Sequence, residues 1–589
     1  MSTSLVSDGR RLATLVLLLA ASLLIGNATT ALWDQDEAAY AGFARRMLLG
    51  EGSWVVPEYP YSQPHRKPPM AFWLMAGSYA ALGINEFAAR LPSTLSVAGS
   101  AACLWFFGGF LVGRRTARLA AIVLASSLFV LNMGKIALTD GVLLACQTVA
   151  ALALLRGAVR PSWGAFVVLW SAVAVGVLVK GPPILILVGG MFLFLLVFHR
   201  RRRNLVHLHP WLGLPLALLP TIIWLSLAWQ EDQRYVLFLG YWYIARRVGG
   251  SVFGQVGLPG THLLIMFVAL LPWTAYLPAA LRDVARGLWK RRLAAVLLAS
   301  WLFGGWVLWE IPASKLPTYA LGAYPALALL IARVITQYTR RPPTWERDRL
   351  LRFGFSAQIV AAVLAAAALT AMGFWVAEPW AKLLGVAPAA VLLIVVVAAL
   401  RIARRRSQDD VAFLLASGGL IAHLLFWATI VPGMDSLRGA PRALAHLVAS
   451  RSPSGTTVVV GRRMLSPSLP FYVEQAGLRF DDVLAEREPR PRVVADWSLL
   501  WRGQIRELVR QVEAQNPPRL PRAEEDALRL ARVRAALGRP APTALVLDQV
   551  QHESLAAELA GRTVVAVRAW LIDKLEFTTY VVVLPAGPR

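Results

Sequence analysis

A small set of charged residues lies outside the chain's arginine-rich loops, and their types could do chemistry. Asp36 and Glu37 directly follow the first apolar run. Lys67 precedes Pro68 and Pro69, Asp140 follows Thr139, Lys180 precedes Gly181-Pro182, and Lys315 lies between Pro312 and Pro317. Arg246 and Arg247 close an aromatic stretch holding Tyr241, Trp242 and Tyr243. A carboxylate can accept a proton from an attacking group or seat a cation. Lysines and arginines can grip phosphate oxygens and stabilise a departing phosphate. Each also has an ordinary explanation. Asp34 and Thr139 read as helix caps, and Asp140 as a first-turn acid complementing the helix dipole. Lys180 reads as a snorkelling lysine, and Arg246 with Arg247 as an interfacial anchor. Their common placement is what favours chemistry.

That placement follows from the apolar runs. The chain has 589 residues, 57% hydrophobic and only 16% charged, far less charge than a soluble protein of this size carries. Runs of about 17–20 apolar residues suit spanning helices. The sequence predicts about thirteen: 11–28, 93–112, 117–133, 140–155, 162–179, 182–198, 211–229, 262–280, 293–309, 317–335, 354–374, 386–401 and 412–430. Arginine clusters fill alternate gaps, such as Arg114, Arg115 and Arg118, Arg200 to Arg203, and Arg401 to Arg406. The positive-inside rule therefore puts these gaps and the N-terminus in the cytoplasm. The net charge of +26 reports this topology and no nucleic-acid partner. The first apolar run reads as a retained helix, with no cleaved leader. Cys103 and Cys146 sit inside apolar runs and offer no metal or disulfide framework.

All the singled-out residues then fall on the opposite, outside face. The first outside loop, 29–92, carries two helical patterns, 36–49 and 70–82, that read as helices lying at the interface. A second outside loop covers 230–261. Residues 1–431 form the membrane domain, and 432–589 read as a small soluble α/β domain, also outside. Its strand-like runs are Thr456–Val460, Ala544–Leu547, Val564–Val567 and Thr579–Leu584, with helical runs near 503–515 and 523–537.

An outside chamber with acids and several basic points suits a charged substrate held in the membrane. No glycine-rich phosphate loop is present, which argues against a cytoplasmic nucleotide donor. A polyprenyl phosphate supplies both an activated group and its own leaving group. A lipid or glycan transporter is the non-enzyme alternative, and it predicts polar groups or broken helices near midplane. Here the charges sit at span ends.

The runs Asp36-Glu37-Ala38-Ala39-Tyr40-Ala41, Gly52-Ser53-Trp54-Val55-Val56-Pro57, Lys67-Pro68-Pro69-Met70-Ala71-Phe72-Trp73-Leu74 and Asn85-Glu86-Phe87-Ala88-Ala89-Arg90-Leu91-Pro92 resemble the lipid A aminoarabinose transferases. These belong with the dolichyl-phosphate-mannose–protein mannosyltransferase superfamily of membrane glycosyltransferases. The resemblance continues at Thr139-Asp140, Val179-Lys180-Gly181-Pro182 and Ser314-Lys315-Leu316-Pro317-Thr318-Tyr319, and thinly at Leu469-Pro470-Phe471-Tyr472. It implies a polytopic GT-C fold of thirteen spans with a C-terminal periplasmic α/β domain, in the bacterial inner membrane. It implies inverting transfer of a sugar, such as 4-amino-4-deoxy-L-arabinose, from undecaprenyl phosphate. The acceptor is lipid A, another envelope glycan or a protein. By motif match, Asp36 and Asp140 are the catalytic acids. Lys67 is the donor-phosphate lysine, and Lys180 and Lys315 are cavity lysines. Arg246 and Arg247 match less clearly but join the phosphate-binding set. A divalent metal ion (Mg, Mn or Zn) is expected on Asp36, Glu37 and Asp140.

Overall fold

In lipid, every backbone N–H and C=O must be satisfied within the chain, so long apolar runs become helices. A computed structural model of the protein describes residues 8–33, 36–57, 67–240, 256–342, 345, 347–375, 386–404, 408–438, 440–461, 468–482, 507, 510–511, 521–571 and 576–585. Helices occupy all thirteen expected positions. Among the described residues, eight segments are long and apolar enough to cross a membrane: Thr139–Val159, Trp163–Lys180, Pro210–Glu231, Leu293–Glu310, Pro317–Arg340, Arg349–Gly373, Val386–Arg404 and Gln408–Met434. The protein is a membrane-embedded helical bundle.

The other five positions depart from the simple expectation for local reasons. Gly9–Leu24 and Pro182–Phe198 have 16 and 17 residues. Glu86–Phe107 begins with Glu86 and Arg90 in its first turns. The run at 117–133 breaks between Arg114–Ala125 and Leu128–Met133. There the Ser126 and Ser127 hydroxyls donate to Ile122 O and Val123 O at 2.6 and 2.7 Å, competing with the helical ladder. The run at 262–280 breaks after Thr261–Ala269, at Pro272, which has no N–H to donate, and resumes at Leu277–Trp289.

Small residues let some helices touch backbone to backbone. A Cβ on Gly304 would lie 2.2 Å from Leu187 O, and one on Gly190 would lie 2.8 Å from Gly304 Cα. Pro182–Phe198 and Leu293–Gly305 therefore pack at a separation that only glycine permits.

Beyond the bundle, five strands among the described residues form one mixed sheet in the order β2-β1-β3-β5-β4. They are β1 Thr457–Val460, β2 Arg479–Asp482, β3 Thr543–Leu547, β4 Val564–Leu571 and β5 Glu576–Val583. β1 runs parallel to β2 and β3, and β5 runs antiparallel to β3 and β4. The short polar strand β2 has no apolar alternation to announce it. Period-two alternation divides the sheet into two buried faces. Val459, Leu545, Val581 and Val583 pack with Val533 and Ala536 of the helix Arg522–Leu537. Val458, Val460, Ala544, Val546 and Val582 join a core that includes Tyr40, Phe43, Phe72 and Met75. Those aromatic residues belong to Asp36–Leu48 and Met70–Leu82, the two helices of the first loop. Loop and sheet domain thus share one apolar core across the division at 431/432, which itself falls inside the helix Ile430–Arg438. Polar contacts pin the joint. Leu32 N–H donates to Tyr472 Oη at 2.8 Å, Arg442 pairs with Glu86 at 3.3 Å, and Arg45 pairs with Glu474.

Candidate functional site

Asp36 and Glu37 open the same helix and part company at once. Asp36 is exposed, whereas Glu37 is buried. Glu37 Oε1 accepts from Arg90 Nε at 2.9 Å and from Ala137 N–H at 2.8 Å. Its Oε2 accepts from Arg90 Nη2 at 3.1 Å and from Trp33 N–H at 2.6 Å. Arg90 is also fully buried and spends its other N–H groups on Asn27 O, Thr30 O, Thr30 Oγ1 and Ala31 O, at 2.8–2.9 Å. A buried charge persists only when paired and hydrogen-bonded. Glu37 therefore fixes the entry of Asp36–Leu48 against the irregular segment before Thr139. It holds the exposed Asp36 near the start of the helix that bears Asp140.

Asp140 stands in the first turn of Thr139–Val159 and Lys180 ends Trp163–Lys180, so antiparallel packing brings them together. Lys180 Nζ donates to Asp140 Oδ1 at 2.6 Å, with both side chains largely shielded. The snorkelling reading of Lys180 gives way to a specific ion pair. Thr139 is no cap: Leu138 holds that position without a side-chain bond. Gly181, with φ +77°, reverses the chain after Lys180, and Pro182 and Pro183 start the next helix.

Lys67 is buried and held through its backbone. Its carbonyl accepts from the Tyr235 hydroxyl. Tyr235 packs edge-on against Trp224, whose Nε1 donates to Val55 O at 2.7 Å. Leu178, two residues before Lys180, joins the same apolar cluster. Lys67 and Lys180 are thus tied to one end of the bundle.

Lys315 reaches that end on a different scaffold. Gly322, just beyond it, lies against Gln147, two turns inside the helix of Asp140. Lys315 Nζ donates to Trp309 O at 3.0 Å and lies 3.7 Å from Glu310 Oε2. Glu310 accepts from Trp306 Nε1 at 2.8 Å and Gly260 N–H at 2.9 Å, and lies 3.4 Å from His262 Nδ1. Arg246, Arg247 and Asp34 lie outside the described residues.

The donors do not fit a metal ion seated jointly on Asp36, Glu37 and Asp140. Four N–H groups already fill the Glu37 oxygens, and the Lys180 ammonium holds Oδ1 of Asp140. Among the described residues, no three His, Cys, Asp or Glu side chains gather as a metal set.

Several residues had no site role in the sequence reading: Arg90, Lys135, Tyr235, His262 and Glu310. Lys135 is wholly buried, donates to Ile25 O and faces the Trp427 ring at 4.6 Å. Burial, with the Arg90 charge adding to it, pushes its ammonium down to about 7. Lys135 and Glu310 each carry a sequence signal, since each is a solitary charge at the edge of an apolar run. Tyr235 and His262 carry none.

Residues 66–227, which hold Lys67, Asp140 and Lys180, match the family described as dolichyl-phosphate-mannose-protein mannosyltransferase. Two similar relatives are named undecaprenyl phosphate-alpha-4-amino-4-deoxy-L-arabinose arabinosyl transferase. The one from Edwardsiella ictaluri is 28% identical over 52% of this chain and 56% of its own length. The one from Yersinia pestis is 29% identical over 52% of this chain and 55% of its own. The chain thus spans about half the length of the curated relatives it matches. Among solved structures, the crystal structure of ArnT from Cupriavidus metallidurans bound to undecaprenyl phosphate superposes with a TM-score of 0.73, at 18% identity, over 99% of this chain and 100% of that one. Its apo state gives 0.69 at 19% identity, over 98% and 99%. The chain has the GT-C fold of that membrane protein and resembles the aminoarabinose transferases.

Proposed function

We propose that this protein transfers 4-amino-4-deoxy-L-arabinose from undecaprenyl phosphate to lipid A at the periplasmic face of the bacterial inner membrane. The N-terminus lies in the cytoplasm and the sheet domain in the periplasm. The observation that carries the reading is the gathering of Asp140, Lys180, Lys67 and the exposed Asp36 at one end of a GT-C bundle, from four separate elements. An acceptor phosphate oxygen attacks the anomeric carbon from the face opposite the donor phosphate. The new C–O bond forms as the old one breaks, and undecaprenyl phosphate leaves with the electron pair, inverting the centre. Lys67, Lys180 and Lys315, with Arg246 and Arg247, bind the donor phosphate and stabilise its growing charge. Asp140 holds Lys180 in place. Asp36 meets the acceptor. A hydroxyl acceptor would need it as a base, whereas a lipid A phosphate, already anionic, needs only positioning.

The test is mass spectrometry of lipid A from cells with and without the protein, paired with the purified enzyme and defined donor. The expected result is an aminoarabinose mass increment that requires the protein and Lys67. An unchanged lipid A profile together with an untouched donor would refute the proposal. Donor consumption with a different increment would reassign the acceptor.

A further inference from the structure

At the opposite end of the bundle from Asp36 and Asp140, an apolar groove of about 280 Å³ opens between Gly9–Leu24, Glu86–Phe107 and Arg114–Ala125. Its floor is a run of small side chains, including Ala98, Ala101 and Ala121, and its walls include Leu12 and Trp105. Ser126 also lines it, but that hydroxyl already donates to Ile122 O at 2.6 Å and accepts from Trp273 Nε1 at 3.0 Å. The groove thus offers a ligand no free polar partner along its length. Its rim carries exposed Val16, Leu17 and Phe106. These surfaces face the bilayer, so the occupant is a lipid chain.

The mouth specifies the head group. Gly9–Leu24 and Arg114–Ala125 both start there, bringing Arg10, Arg11, Arg114, Arg115 and Arg118 to one edge. Arg118 lies over the Trp105 ring at 5.2 Å, joining the charged mouth directly to the apolar wall. Three aspartates share the edge and are engaged. Asp410 pairs with Arg11 at 2.7 Å, Asp409 with Arg115 at 3.4 Å, and Asp8 caps the first helix. Arginines outnumber acids, and Arg10, Arg114 and Arg118 are exposed. A basic edge over an apolar slot between helices complements an anionic phospholipid.

We propose that this groove binds a diacyl anionic phospholipid, its acyl chain on the alanine floor and its phosphate among Arg10, Arg114 and Arg118. The site is separate from the reaction end and stands whether or not the transferase reading does. Each arginine near an anionic head group strengthens binding roughly fivefold.

Native mass spectrometry of the purified full-length protein tests this, using cardiolipin, phosphatidylglycerol and phosphatidylethanolamine of matched chains. The anionic lipids are expected to be retained at least fivefold over phosphatidylethanolamine. The Arg114→Gln/Arg118→Gln variant should erase most of that preference. Ala102→Phe, at an exposed position lining the groove, should lower occupancy by every lipid. The control Arg340→Gln/Arg341→Gln, in another basic loop, should leave the preference intact. Equal binding of all three lipids overturns the proposal, as does a preference that survives the Arg114/Arg118 change. Complete displacement by undecaprenyl phosphate also overturns it, because the groove would then belong to the donor.

Discussion

Replacing Glu37 separates a structural carboxylate from a catalytic or metal-binding one. Glu37→Ala strands the buried Arg90 guanidinium, whose Nε and Nη2 lose their carboxylate partners at 2.9 and 3.1 Å. It also orphans Trp33 N–H and Ala137 N–H, which bond the same carboxylate at 2.6 and 2.8 Å. Arg90 keeps its carbonyl and hydroxyl partners, so it stays in place as an uncompensated charge. Breaking one side of a buried pair costs about 3–5 kcal/mol. In a chain of 589 residues the melting temperature should fall on the order of 2–4 °C. The assay is thermal unfolding of detergent-solubilised protein, followed through tryptophan emission. The double change Glu37→Leu/Arg90→Leu should recover part of the loss, because removing both charges also removes the burial penalty. A Glu37→Ala protein that melts like the wild type but no longer turns over donor would refute the structural assignment. That result would return Glu37 to the chemistry.

Further outcomes test the rest of the reading. Asp140→Asn removes the carboxylate 2.6 Å from Lys180 and should lower transfer about 100-fold, the scale of a lost electrostatic contact. The double change Asp140→Asn/Lys180→Met should cost little more than the worse single change; fully additive losses in single-turnover rates would show that the two do not act as a unit. Tyr235→Phe removes the bond to the Lys67 carbonyl, worth about 1 kcal/mol, and should weaken donor binding roughly fivefold in titrations. Gly304→Val drives a side chain into Leu187 O and should destabilise by about 3 kcal/mol or more, read as early unfolding or loss of the extracted protein. For topology, Glu553→Cys should react with a membrane-impermeant maleimide in intact spheroplasts while Arg160→Cys stays protected; the reverse labelling would invert the proposed orientation.

The helical positions were legible because apolar length alone demands them. The breaks were not, since a Ser126-Ser127 pair or a Pro272 inside an apolar run leaves hydropathy almost unchanged. β2, four residues with three charges, lacks the alternation that marked the other strands. Asp140 and Lys180 could each be picked out, but only helix pairing places them in contact. Glu37 shows the opposite failure. Its type and neighbourhood matched a ligand, yet Arg90, 53 residues away, claims it. Sequence marks a carboxylate in a sparse-charge region, while long-range partners decide whether it supports or reacts. Arg90 itself read as part of a motif and turned out to anchor the motif's first residues.

The pairing of Lys180 and Lys315 with acids bears on how the proposed reaction would gain rate. Lys180 already has Asp140 at 2.6 Å, and Lys315 has Glu310 at 3.7 Å. Each ammonium has three donors, so neither carboxylate exhausts its lysine. A donor phosphodiester carries one negative charge, and the departing phosphate monoester approaches two. Lysines partly neutralised by fixed acids hold the singly charged donor modestly. Their unspent N–H groups gain most as the second charge develops. Interactions that strengthen toward the transition state raise turnover, whereas equal binding of both states does not. On this argument Asp140 and Glu310 do more than keep buried lysines soluble in the fold: they restrain ground-state binding of donor and of spent carrier. Neutralising Glu310 as glutamine should then tighten retention of undecaprenyl phosphate while slowing multiple turnover. A variant that bound the spent carrier more weakly would show that Glu310 only positions Lys315.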